Sequence, residues 1–291
     1  MPFLKMTAQI RVKAAVVAML AALVLSLLPA QPVLAQRSDD GGVSVARKSI
    51  FRNLVGAQQV EQQAQLQYSQ MTRQAAQQRA LLPDNHPQVE RLRQIAADLL
   101  PHTIKFNERA KDWAWEVNVF RSPQINAFCM PGGKIAFFTG ILEQLKLNDD
   151  EVAMIMGHEM GHALWEHARE RAGKNMAVGA GRVVAGMLFG QVGDLLGAGA
   201  SSLANLKFSR NDELEADLIG MELAARAGYD PRAGITLWQK MSAASKGAPP
   251  QWLSTHPSGP TRIRTIEKHL PEVMPLFERA RVAGPGPGRR G

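Results

Sequence analysis

Between Asn148 and Gly173 runs NDDEVAMIMGHEMGHALWEHARERAG, and its middle constrains the fold more than any other stretch. Val152, Ala153, Ile155, Met156, Ala163 and Leu164 surround His158, Glu159 and His162, so a helix here is apolar nearly all round. Such a helix belongs in a core, and the rest of the chain has to fold around it. Its polar side chains then need partners, because burying one unpaired costs roughly 2–7 kcal/mol. Gly157 and Gly161 let another backbone approach the same helix closely. Asn148, with Glu151 three residues on, has the pattern of a capping box and sets the helix start.

Residues four apart share one helix face. His158 and His162 can therefore present ring nitrogens to one metal ion, with Glu159 beside them to act on water, the H-E-x-x-H pattern of zinc hydrolases. Three polar residues on an ordinary helix match the same pattern in on the order of one chain in a hundred. A catalytic zinc also needs a third protein ligand and an open position. FSRNDELEADLIGMELAARAGYDP, about fifty residues on, offers Glu213 and Asp217 on one face, while Glu215 points elsewhere. Glu213 can ligate, and Asp217 can accept a hydrogen bond from the far nitrogen of a ligating histidine. The competing reading is an acidic first turn favoured by the helix dipole, capped by Ser209 or Asn211. Paired with the first motif, the ligand reading is the stronger. His167, five residues after His162, is expected to point away from the ligand face and to be structural.

The remaining chain supplies context. Lys5, Arg11 and Lys13 precede the apolar run Ala14 to Leu28, and Val33-Leu34-Ala35 resembles a cleavage site, so residues 1–35 read as a cleaved signal peptide of an exported protein. The run is shorter than the ~20 residues a membrane span needs, and no cysteine near the junction offers a lipid attachment. The formal charge of +8 falls to +5 without those three basic residues. No aromatic-interleaved basic patch accompanies it, which argues against nucleic acid as a partner. A polar linker follows at 36–44. Residues 45–110 form an N-terminal helical arm in which Val89, Leu92, Ile95 and Leu99 mark a helix ended by Pro101, and His86 and His102 are capping or surface residues. WAWEVNVF, INAFCM and KIAFFTGIL around Pro131-Gly132-Gly133 predict a small antiparallel sheet directly before the motif helix. The Gly- and Ala-rich stretch 175–206 reads as a helical hairpin packed through small residues, because Arg182 and Asp194 interrupt it. Cys129 is the one cysteine and reads as a buried thiol. A Gly/Pro-rich tail at 283–291 is expected to be disordered.

The ordered set NAFCMPGGKIAFFTGIL, HEMGH, SRNDELEAD, AGYDP and STHPSGPTRI resembles the zinc metallopeptidase family of the type I CAAX prenyl proteases, which are HExxH gluzincins. It is most similar to the exported bacterial periplasmic members that lack a transmembrane core. The resemblance implies a mainly helical α+β, zincin-type fold with a catalytic domain over 111–275. It implies that His158, His162 and Glu213 bind one Zn2+ per chain and that Glu159 is catalytic. It also implies that the strand at Asn126, Ala127 and Phe128 lies along the cleft and that His256 reaches the metal. His256 then either stabilises the oxyanion formed during attack or fills zinc's fourth position and holds the enzyme latent.

The expected activity is hydrolysis of peptide bonds in misfolded envelope proteins, with polypeptides as partners and peripheral contact with the membrane or the envelope assembly machinery. A chaperone or assembly-binding module with a latent or structural zinc site is the alternative, and a hydrolase of peptidoglycan or small amides is a third. Glu159 favours an enzyme, because a binding module has no need of it.

Overall fold

The computed structural model describes residues 41–177, 206–245, 250–256 and 260–284. Residues 1–40, most of the Gly/Ala-rich stretch and the end of the tail lie outside the described residues, and so do the expectations placed on them. Two helices open the described chain, α1 (Ala57–Gln77) and α2 (Pro87–Leu99). His86 caps α2, its Nδ1 accepting from the Gln88 N–H at 3.2 Å, so the histidine at that boundary acts as a cap. Strands β1 (Glu116–Phe120), β2 (Ala127–Met130) and β3 (Lys134–Phe138) follow. Helices α3 (Thr139–Gln144), α4 (Asp149–Leu164) and α5 (His167–Ala177) come next, then α6 (Arg210–Arg226), α7 (Ala233–Ala244), α8 (Gln251–Thr255) and α9 (Pro260–Val282). The result is a mostly helical α+β fold with one small sheet, as the sequence predicts. Among the described residues no helix is long and apolar enough to cross a membrane.

The sheet is mixed rather than antiparallel throughout, and its order is β1-β3-β2. β2 and β3 form the expected antiparallel hairpin, turning through Gly132 and Gly133 at φ +81° and +79°, where a side chain would be strained. β1 instead pairs parallel to β3, with Glu116 opposite Lys134 and Phe120 opposite Phe138. The connection after β1 explains this. Thr139 Oγ1 donates to the Ser122 carbonyl at 3.0 Å, and the Gly140 N–H reaches the same oxygen at 2.8 Å. A Cβ on Gly140 would lie 2.3 Å from the Pro123 carbonyl oxygen. The link therefore crosses the end of β3 and delivers β2 to its far side. Alternating burial is the same for either strand direction, so the pattern of residues does not encode it.

Both faces of the sheet are covered. Val119, Ala127, Cys129, Ile135 and Phe137 join the main core with α2 and α4, while Phe120, Phe128, Met130, Ala136 and Phe138 pack on Tyr68 and Met71 of α1. That double burial is why β2 and β3 read as continuous apolar runs.

Candidate metal centre

The motif helix begins as its sequence predicts. The Asn148 side chain accepts from the Glu151 N–H at 2.9 Å, and the Glu151 carboxylate accepts from the Asn148 N–H at 3.0 Å. Helix α4 is buried along nearly its whole length and crosses α6 at close range. A Cβ on Gly157 would sit 2.9 Å from the Gly220 carbonyl oxygen, and one on Gly161 would sit 3.0 Å from that of Ala216. The two glycines thus serve the close approach inferred for them. Ser209 caps α6, with Asp212 closing a capping box, so the acidic first turn is real. Glu213 and Asp217 are nevertheless buried and face α4.

Four donor residues converge between these helices. His158 Nε2 and His162 Nε2 are 3.1 Å apart, and Glu213 reaches them at 3.7 and 3.5 Å. His256, at the end of α8, completes a group whose donor atoms all lie within 4.8 Å of one another. Glu159 stands beside it, 3.5 Å from His256 Nε2. Hydrogen bonding restricts the tautomers. His158 Nδ1–H donates to Asp217 at 3.0 Å, and His256 Nδ1–H to the Trp252 carbonyl at 3.1 Å. His162 Nδ1 meets His167 Nδ1 at 2.8 Å. In the tautomers that carry each proton on Nδ1, three Nε2 lone pairs and Glu213 Oε1 point into one space. Glu213 Oε1 and His256 Nε2 have no hydrogen-bond partner there. A cluster of buried acceptors without a donor is satisfied by a cation, and imidazoles with one carboxylate suit a divalent transition metal.

Charge and burial agree with that reading at the three imidazoles. Burial, reinforced by Arg262, pushes His158 down to about 4, and burial drives His162 and His256 well below the usual imidazole range. All three rings are therefore neutral, as metal ligands must be. Burial raises Glu159 to about 8 and Glu213 to about 9. Burial alone would raise Asp217 as well, but Arg262 and the His158 hydrogen bond hold it below the usual carboxylate range.

The structure adds residues that the motifs did not single out. Arg262 on α9 pairs with both Asp217 and Glu213 and lies 4.0 Å over the Trp238 ring. Trp252 Nε1–H donates to Glu159 at 2.6 Å, and its indole stacks on His256. Phe208 stacks on His162 at 3.8 Å. His167 does not point away, because its ring is buried against His162. Nothing in the spacing announces these contacts, since each partner comes from a separate element. Asn126, Ala127 and Phe128 are buried at the start of β2. The Asn126 carbonyl accepts from the Phe138 N–H, so by alternation Ala127 and Cys129 turn their backbone groups to the strand's other edge. The Cys129 N–H there meets Glu159, which places β2 beside the group of donors.

A mitochondrial metalloendopeptidase OMA1 of Arabidopsis thaliana is 42% identical over 175 residues, covering 60% of this chain and 36% of that protein. Metalloprotease LoiP of Escherichia coli is 30% identical over 156 residues, 52% of this chain and 61% of its own length. The β-barrel assembly-enhancing protease of the same bacterium is 27% identical over 172 residues, 54% and 35% respectively. The chain spans 36% to 49% of the OMA1 proteins of Arabidopsis and Schizosaccharomyces pombe. These relatives carry the names of OMA1, LoiP and an assembly-enhancing protease, so the likeness to CAAX prenyl proteases holds at the level of the wider family. The sequence profile of that family, Peptidase family M48, matches residues 86–270, from the start of α2 to the middle of α9, and the chain belongs to it.

Proposed function

We propose that this chain is a zinc-dependent metalloendopeptidase in which His158, His162 and Glu213 hold the metal and Glu159 carries the proton. The observation that supports it most is the convergence of the His158, His162 and His256 ring nitrogens with Glu213 within 4.8 Å, with Glu213 Oε1 and His256 Nε2 lacking a hydrogen-bond partner and Glu159 alongside. A bound zinc supplies Lewis acidity to water and to the scissile carbonyl. Glu159 then takes the proton of the attacking water and returns it to the leaving nitrogen. Trp252 Nε1–H fixes the orientation of that carboxylate. Asp217, itself held by Arg262, keeps His158 protonated on Nδ1 and so leaves Nε2 free to ligate. An extended substrate pairs with the outer edge of β2 at Ala127 and the Cys129 carbonyl, where backbone bonds demand little of its sequence.

The resting state is latent in this reading. Glu159, His158, His162 and Glu213 are each at most 3% exposed, and the Pro250–His256 segment covers them. The Trp252 N–H also occupies the Ile125 carbonyl beside β2. His256 would hold the metal as a further ligand until that segment moves. The natural substrates are envelope proteins that have lost their fold, reached after export to a Gram-negative periplasm. The leader at 1–35 and the names LoiP and β-barrel assembly-enhancing protease support this, while the OMA1 relatives are named as mitochondrial.

Metal content and casein degradation by wild type and Glu159→Gln test the activity. The variant is expected to keep about one zinc per chain and to lose proteolysis by at least a hundredfold. Equal proteolysis by both proteins would overturn the assignment. A wild type that binds zinc and unfolded chains yet never cleaves them would favour the binding-module reading. His256→Ala is expected to raise proteolysis if His256 plugs the site, whereas a fall would assign it to transition-state stabilisation.

A further inference from the structure

We propose that His167, backed by Glu215, is the positioning residue that fixes His162 as a metal ligand, an inference that rests on the zinc reading above. On an unbroken helix His167 would be turned about 140° from His162. The chain instead leaves α4 at Leu164, and Glu166 takes φ +63°, a left-handed conformation uncommon for a residue with a side chain. Neighbouring groups hold that turn in place. Lys48 and Asn107 both donate to the Leu164 carbonyl, at 2.7 and 3.0 Å. Arg52 and Arg169 clasp the Glu166 carboxylate at 2.6 and 2.8 Å. The turn starts α5 at His167 and swings its ring back onto His162.

Ligation through His162 Nε2 would select one of the tautomers that the hydrogen bonds allow. A metal on His162 Nε2 leaves the proton on Nδ1, and His167 Nδ1 at 2.8 Å accepts it. His167 must then carry its own proton on Nε2, which meets Glu215 at 3.0 Å. His167 is fully buried, and Glu215, the carboxylate expected to point elsewhere, closes the relay from the edge of α6. Phe208 stacks on the His162 ring and restrains its plane, but it has no acceptor to choose the tautomer. The two imidazole ligands are therefore oriented differently. His158 has the Asp217 carboxylate directly, and His162 has an imidazole with a carboxylate one step further out.

Zinc affinity by chelator competition, with far-UV circular dichroism as the folding control, tests this on the full chain. His167→Phe, which removes the acceptor, is expected to weaken zinc tenfold to a hundredfold. The cobalt-substituted protein should show shifted d–d bands, and kcat should fall with KM unchanged. His167→Asn places an amide oxygen near the former Nδ1 and should recover most of the affinity. Glu215→Ala, at a less buried position, should lose zinc affinity severalfold and carries the test if His167→Phe does not fold. A folded His167→Phe or Glu215→Ala with wild-type zinc affinity and cobalt spectrum would overturn the proposal alone. A wild type that binds no zinc would overturn it together with the proposed function. Two zinc ions per chain, one lost in Glu215→Ala, would also overturn it, by making His167, Asp212 and Glu215 ligands themselves.

Discussion

Burial of Asp217 and Glu213 leaves two carboxylates facing a single guanidinium, that of Arg262, whose side chain is itself only 4% exposed. Asp217 retains the charge and Glu213 is raised to about 9, which is how burial divides one cation between two acids. Removing the guanidinium would leave the Asp217 charge without its counterion and Glu213 without its donor. Arg262→Met is therefore expected to destabilise the metal-free protein by about 3–5 kcal/mol, the usual cost of breaking a buried pair from one side. Urea denaturation after chelation measures it, and a loss under 1 kcal/mol would show that Arg262 is dispensable. Added zinc should recover part of the loss, because it supplies the missing positive charge next to Glu213. Asp217→Asn tests the neighbouring contact. Its amide can still accept from His158 but carries no charge, and zinc affinity is expected to drop by about tenfold. The two motifs announce His158, Glu159, His162, Glu213 and Asp217, because helical spacing alone puts them on facing surfaces. Arg262 and Trp252 reach the same place from α9 and α8 respectively, and no periodicity links those helices to the motifs.

At the scale of the elements, the site depends on how closely α4 and α6 approach. A Cβ on Gly220 would fall 2.6 Å from the His158 backbone nitrogen and 2.9 Å from the Gly157 carbonyl carbon, so the two helices would have to separate. Gly220→Ala is thus expected to cost about 1–3 kcal/mol. It should weaken metal binding more than its stability cost suggests, because His158 and Glu213 ride on opposite helices. Gly157→Ala meets the partner backbone at 2.9–3.0 Å and should show a smaller version of the same effect. Thermal melts with and without zinc compare the two, and a Gly220→Ala protein with unaltered zinc affinity would refute the coupling. The helices, the capping box at Asn148 and the β2–β3 hairpin are legible in the sequence, since each rests on residues close together in the chain. Two features are not. The parallel pairing of β1 depends on where a connection crosses the sheet, and the placement of His167 depends on a left-handed residue held by Lys48, Asn107, Arg52 and Arg169. In both cases partners distant in sequence override the local pattern.

Across the whole molecule, the site sets how stability responds to pH. Consider the chain stripped of metal. Glu159 at about 8 and Glu213 at about 9 stand above the unfolded value of 4.5. Each contributes stability that is fully present below pH 4.5 and is lost as the pH climbs toward its folded value. His158, at about 4, lies below the unfolded 6.5, as do His162 and His256. Their contribution is complete above pH 6.5 and is lost as the pH falls through the folded values. The site's contribution to the stripped chain should therefore peak at mildly acidic pH and decline from 6.5 to 9, where its carboxyls still change and its imidazoles do not. The ceiling on that decline is about 1.4 kcal/mol per pH unit for each carboxyl that stays protonated in the fold. Zinc acts in the opposite direction, because its ligands must be unprotonated and fewer protons compete as the pH rises. The melting temperatures of chelated and zinc-loaded protein should accordingly diverge between pH 6.5 and 9, with Glu159→Gln flattening the chelated curve. Parallel curves across that range would mean that the buried carboxyls are charged in the fold without a metal, and that Arg262 alone balances them.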